Sequence, residues 1–119
     1  MTNKTNKGEE SMKIETLKKA EEFKQGHLNL VQYFLKRGCE FQIINLETNN
    51  RTVSSDYDQI KSLINNGETH LWIIKNKKLI SRVWIIPYNE GIDTIADYTI
   101  SKEIDDWSNK FEKTMEQLN

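Results

Sequence analysis

Two largely apolar runs, Thr69 to Lys75 and Lys78 to Pro87, stand two residues apart and constrain the fold more than any other feature of the chain. Their length and their β-branched and aromatic content read as strands, and Asn76-Lys77 between them reads as a tight hairpin turn. Both strands are apolar on both faces. Leu71 and Ile73 alternate with Trp72 and Ile74, and Leu79, Val83 and Ile85 alternate with Ile80, Trp84 and Ile86. A strand solvated on one face alternates with polar residues instead. The hairpin is therefore expected to be central, with helices on both faces or with one face closed in an oligomer. Pro87, the only proline, ends the second strand where it costs no ladder bond.

Elements on either side follow from period and punctuation. Ile14, Leu17, Ala20, Lys24, Leu28, Val31 and Leu35 repeat at three and four residues and predict a helix over Lys13 to Arg37. Gly26 weakens its middle, so a kink or a split is expected there. Gly38 suits a left-handed cap. A strand over Glu40 to Leu46, a turn at Thr48-Asn49-Asn50 and a short strand over Arg51 to Ser54 form a second hairpin. Ser55 or Asp56 caps a helix with Tyr57, Ile60, Leu63 and Ile64 on one side, ended by Asn66-Gly67. A loop is expected from Tyr88 to Ile100. A last helix starts at Ser101, with Ile104, Trp107, Phe111, Met115 and Leu118 on its apolar side. The fold class is α+β, in the order α-β-β-α-β-β-α. A mostly antiparallel four-stranded sheet is packed by an N-terminal and a C-terminal amphipathic helix. All three tryptophans are expected in the core, Trp72 and Trp84 facing each other across the hairpin and Trp107 covering one of them.

A length of 119 residues suits one domain, taken here as 13–119. Residues 1–12 are polar without apolar period and read as a disordered tail. Lys7-Gly8-Glu9-Glu10 ahead of Met12 has a second reading, a translated ribosome-binding sequence, with Met12 as the biological start. The net charge of -1 draws the chain neither to nucleic acid nor to an anionic membrane. No apolar run is long enough to span a bilayer. With Cys39 as the one cysteine, no disulfide can form within the chain, and a reducing cytoplasm is the expected compartment.

Reactive groups are few. Cys39, His27 and His70 supply the only thiol and imidazoles, and no local signature pairs them. CxxC, HxxxH and EF-hand spacings are absent from the sequence, so no cofactor is expected. Asp93 and Asp97, four apart, are the only carboxylates suggesting a metal-dependent hydrolase, and turn and cap roles that accept backbone N–H bonds account for them better. Charge is segregated. Lys75, Lys77, Lys78 and Arg82 lie on the basic hairpin, while Asn89 to Glu112 holds seven acids against two bases. Four cations without interleaved aromatic residues argue against nucleic acid. The acidic stretch suits a basic protein partner. Binding candidates are therefore Arg82, Trp84, Tyr88, Asn89, Glu90, Asp93, Asp97, Tyr98, Asp105 and Asp106.

The segment Val83-Trp84-Ile85-Ile86-Pro87-Tyr88-Asn89-Glu90-Gly91-Ile92-Asp93-Thr94-Ile95-Ala96-Asp97-Tyr98-Thr99 resembles a motif of small phage and prophage proteins. In these a Trp-containing apolar strand leads through an Asn/Gly/acidic turn to Asp-x-Ile-Ser/Ala-Asp-Tyr-Ser/Thr. The likeness covers 17 of 119 residues; Ser54-Ser55-Asp56-Tyr57 with Ile60 extends it. It implies a small α+β fold and a mobile-element origin, and no activity. The expected function is a non-enzymatic accessory protein that binds a host protein, such as a defence component. The alternative is a nucleotide-like small-ligand binder using the loop after the fourth strand, and the third reading is the hydrolase. The two-faced hairpin adds an expectation of self-association.

Overall fold

The computed structural model describes residues 19–118. Residues 19–22 are helical. Then follow α1 (Gly26–Leu35), β1 (Glu40–Asn45), β2 (Arg51–Ser54), α2 (Tyr57–Ile64), β3 (Thr69–Lys75) and β4 (Lys78–Ile85). A 3-10 turn (Gly91–Thr94) leads to β5 (Ile95–Tyr98), and α3 (Lys102–Leu118) closes the chain. The tail expected over 1–12 and the first turns of the helix expected from Lys13 lie outside the described residues.

The class is α+β with an antiparallel sheet, as the hairpin signals require, but the sheet has five strands, in the order β2-β1-β3-β4-β5. Asn76 and Lys77 both take positive φ (52° and 64°), the backbone a two-residue hairpin turn needs to match strand twist. The added strand, β5, falls in the segment expected to be loop. Only four residues long, it pairs Val83 with Tyr98, Trp84 with Asp97 and Ile85 with Ile95 across a bulge. A short edge strand that carries an aspartate gives no alternating pattern to read.

Every described helix lies on one face of the sheet. Leu30, Val31 and Phe34 of α1, Ile60 and Ile64 of α2, and Ile104, Trp107 and Phe111 of α3 share one core with Phe41, Ile43, Leu71, Ile73, Val83 and Ile85. Trp107 is stacked on Phe111, and its indole N–H donates to Asn29 Oδ1 at 2.9 Å. The expectation of helices on both faces is thus corrected, and so is the placement of Trp72 and Trp84. Neither belongs to the core. Register sets Trp72 opposite Arg82 and Trp84 opposite His70, so the two indoles are diagonal neighbours on the outer face, away from Trp107.

The long first helix expected through Arg37 breaks at residues 23–25, where Gln25 is extended (φ -81°, ψ 123°). Gly26 then starts α1 against the 3-10 turn. A Cβ there would meet Gly91 O at 3.0 Å and Thr94 Oγ1 at 3.1 Å, so the close approach needs glycine. Thr94, fully buried, fastens the contact: its hydroxyl accepts from the His27 N–H (2.9 Å) and donates to Gly91 O (3.0 Å). Other caps match the sequence. Asp56 accepts from Gln59 N–H at 2.9 Å, Ser101 accepts from Ile104 N–H at 3.2 Å, and Gly38 is left-handed at φ 81°.

Replacing Thr94 by valine keeps the shape but strands the His27 N–H and the Gly91 carbonyl. A loss of about 1–3 kcal/mol in urea unfolding is expected, the usual cost of an orphaned buried group.

Candidate functional site

The outer face of the sheet carries the side chains that the core does not take. Two rows cross it. One runs Val53, Gln42, Trp72, Arg82 over β2, β1, β3 and β4. The other runs Arg51, Ile44, His70, Trp84, Asp97 over all five strands. Ile74 and Leu79 pair at the hairpin end. None of these residues belongs to the core cluster that the helices cover, although Ile44 is itself buried among its neighbours. Val53 is 57% exposed on the edge strand β2, and Leu79 is 44% and Trp84 38% exposed on β4, which is high for apolar side chains within a sheet.

The aromatic centre is ordered by its own neighbours. The Arg82 guanidinium lies over the Trp72 ring at 4.7 Å from its centroid, and His70 meets Trp84 edge-on at 6.4 Å. Each pair is a directly opposed cross-strand pair, so the hairpin register alone brings them together. Beside them, Asp97 and Tyr98 of β5 complete a shallow cleft of about 300 Å³.

Four of the ten sequence candidates, Arg82, Trp84, Asp97 and Tyr98, therefore converge. The other six do not join them there. Tyr88, Asn89, Glu90 and Asp93 form the exposed loop and 3-10 turn, where Asn89 Nδ2 donates to Asp93 O at 3.0 Å. Asp105 and Asp106 are exposed on α3. The turn does lie beside α3, and Ile92, Met115, Glu112 and Glu116 line a hollow of about 420 Å³ between them. Sequence reasoning missed His70, Trp72 and Arg51. A signal was present in β1: Glu40 and Gln42 share one face, and antiparallel pairing must set that face beside Trp72.

The groups suited to catalysis are dispersed. Cys39 is buried in the core, where desolvation raises its thiol pKa. His27 is buried at the start of α1, and His70 stands on the outer face. Asp93 belongs to the 3-10 turn, whereas Asp97 sits beside Trp84. Among the described residues no group of three or more His, Cys, Asp or Glu side chains is arranged to hold a metal ion, and no helix is long and apolar enough to cross a membrane. A hollow of about 930 Å³ lies on the helical side. Of its two carboxylates, Glu22 and Asp58, Glu22 is engaged by Lys61 Nζ and by Tyr57 OH. Burial pushes the Glu22 pKa up, but these two hydrogen bonds together with the charges of Lys61 and Lys19 outweigh it and hold the carboxyl below its usual value. Burial and the Glu22 bond raise the phenol of Tyr57 strongly. These contacts tie residues 19–22 to α2 and engage Glu22, Tyr57 and Lys61 with one another.

No family model matches the chain, and no curated protein or solved structure matches it significantly.

His27 generates a pH prediction. Its Nε2 is 2.7 Å from Asn65 Oδ1, so Nε2 carries the proton, and the buried Nδ1 has no partner among the described residues. Burial lowers its pKa below the usual 6.5, against smaller opposing effects of the Asn65 bond and of Glu22. The unfolded chain then binds the proton more readily. Stability from this group is complete above 6.5 and is lost as pH falls toward the lowered folded value. Glu22 adds a loss only below 4.5. Urea midpoints measured between about pH 7 and about pH 5 should fall for the native chain and stay nearly level for His27→Gln.

Proposed function

We propose that the chain is a non-enzymatic accessory protein, of mobile-element origin, that acts by binding a host protein through the outer face of its sheet. One observation carries this reading: the hairpin that builds the core turns Trp72 and Trp84 away from every described helix. Buried tryptophans are worth several kcal/mol to a fold, about 25 cal/mol per Å² of apolar area. Two of them left on one face, with a stacked arginine between, form the kind of cluster that dominates the energy of protein interfaces.

The charges around the indoles favour a protein over nucleic acid. Arg51 and Arg82 are offset on the same face by Glu40 and Asp97, and Asp97 adjoins Trp84 directly. A phosphate backbone stacked along that row would meet a carboxylate at its end. The resemblance of Val83 to Thr99 to phage and prophage proteins supports a host target, a defence component being the natural kind. The cleft beside Trp84 supports a second reading, a planar nucleotide-like ligand stacked on the indole.

The test is a quantitative pull-down from host lysate with native chain, Trp72→Ala and Trp84→Ala. Each substitution lies outside the core, so the melting temperature should change little. Saturable capture of one host protein, weakened at least about tenfold by either substitution, is the expected result. Equal capture by all three chains rejects the outer face. Recovery of no saturable partner, with a thermal shift on adding nucleotide, replaces the reading with the ligand one.

A further inference from the structure

The outer face is complementary to itself. The row Arg51, Ile44, His70, Trp84, Asp97 crosses the whole sheet with a cation on the edge strand β2 and an anion on the edge strand β5. Its middle member, His70, stands on β3, the third of five strands. Four inter-strand steps of about 4.8 Å place the two charges about 19 Å apart, symmetrically about β3.

We propose that this face pairs with a second copy of the chain about a two-fold axis parallel to β3, closing the open sheets into a four-layer sandwich before any host partner is met. The proposal rests on reading the outer face as an interface, and names its resting occupant. Rotation about that axis reverses each row. Arg51 of one copy then lies over Asp97 of the other, and Asp97 over Arg51. Ile44 lies over Trp84, and Arg82 over the Gln42 amide. Trp72 meets its own symmetry mate at the axis. A two-fold axis perpendicular to the strands instead sets Arg51 over Arg51 and Asp97 over Asp97, which like-charge repulsion disfavours. The favoured axis leaves the strands of the two sheets aligned, one of the two ways in which twisted sheets stack. Isologous contact is also the commonest route to a homodimer.

The area is sufficient for a reversible dimer. Five strands at about 4.8 Å and six residues at about 3.4 Å give a footprint of roughly 500 Å² per copy. Pairing removes about 1,000 Å² in total, the lower bound of specific interfaces. A modest interface of this kind can be displaced by a tighter host partner, which links the dimer to the proposed function.

Light scattering and sedimentation of the full chain, at tens of micromolar and below, test the pairing. The native chain should be dimeric at the upper concentrations. Arg51→Asp and Asp97→Arg should each raise the dissociation constant at least about tenfold, and the double variant should return toward the native value because the pair is only inverted. Trp84→Asp should be monomeric with an unchanged melting temperature. A native chain that stays monomeric throughout overturns the proposal, as does a dimer indifferent to Trp84→Asp or a double variant no tighter than the singles. If a monomeric chain still captures a host protein in a Trp72- and Trp84-dependent way, the pairing fails while the proposed function stands. A monomer that captures nothing takes both down.

Discussion

The packing of α1 and α3 against the inner face of β3 and β4 is the contact on which the remaining structure depends. Phe34, Trp107 and Phe111 supply its bulk, and Leu71, Ile73, Val83 and Ile85 receive them. The strands cannot present these residues inward without presenting their neighbours outward, because side chains alternate along a strand. Committing the odd-numbered residues of β3 to the core therefore commits His70, Trp72 and Ile74 to the other side. The chain's described helices all serve the first face. The second is a product of the same pleat, and its composition is far more apolar than a solvated sheet face requires.

A second constraint positions the edge of that face. The close approach of Gly26 to Gly91 O, with Thr94 bonded to both the His27 N–H and Gly91 O, fastens the 3-10 turn to the start of α1. β5 leaves that turn directly, at Ile95. The register that sets Asp97 beside Trp84 is thus anchored from the helical layer, through a threonine that touches neither. Ser81 adds a second tie from β4, its hydroxyl donating to Thr99 O at 2.8 Å. Asp97 is a fixed charge at the end of an aromatic row because the loop before it is bonded into the core.

Much of this was legible in the sequence, and the failures share a cause. The hairpin turn, the caps at Asp56, Ser101 and Gly38, the split at Gly26 and the apolar side of α3 are all local signals, written in residues close along the chain. β5 was not legible because its pairing partner, β4, supplies the ladder that four residues of mixed polarity cannot announce. Residue type puts all three tryptophans in the core, which holds for Trp107 and fails for Trp72 and Trp84. Residue type says that an indole gains from burial; it does not say what buries it. Parity decides that, and parity was available: Trp72 shares a face with Gln42, whereas Leu71 shares one with Ile43. Of the ten candidate residues, those on β4 and β5 converge because pairing brings strands together, while the loop and α3 carboxylates belong to other surfaces.

An aromatic face this open would invite indiscriminate association if nothing opposed it. The structure opposes it with charge placed among the rings rather than around them. Arg82 covers part of Trp72 and brings its hydration to the centre of the face, and Asp97 and Arg51 stand at opposite ends of the longest row. A partner gains the area of the indoles only if it also answers those charges, since a buried unanswered charge costs several kcal/mol. Apolar area thus supplies the affinity and the charges restrict who can use it. A surface that meets the requirement needs an anion about 19 Å from a cation, with apolar residues between them. The same face, turned about its central strand, has that pattern, so selectivity toward outsiders and complementarity toward a second copy arise from one arrangement of residues.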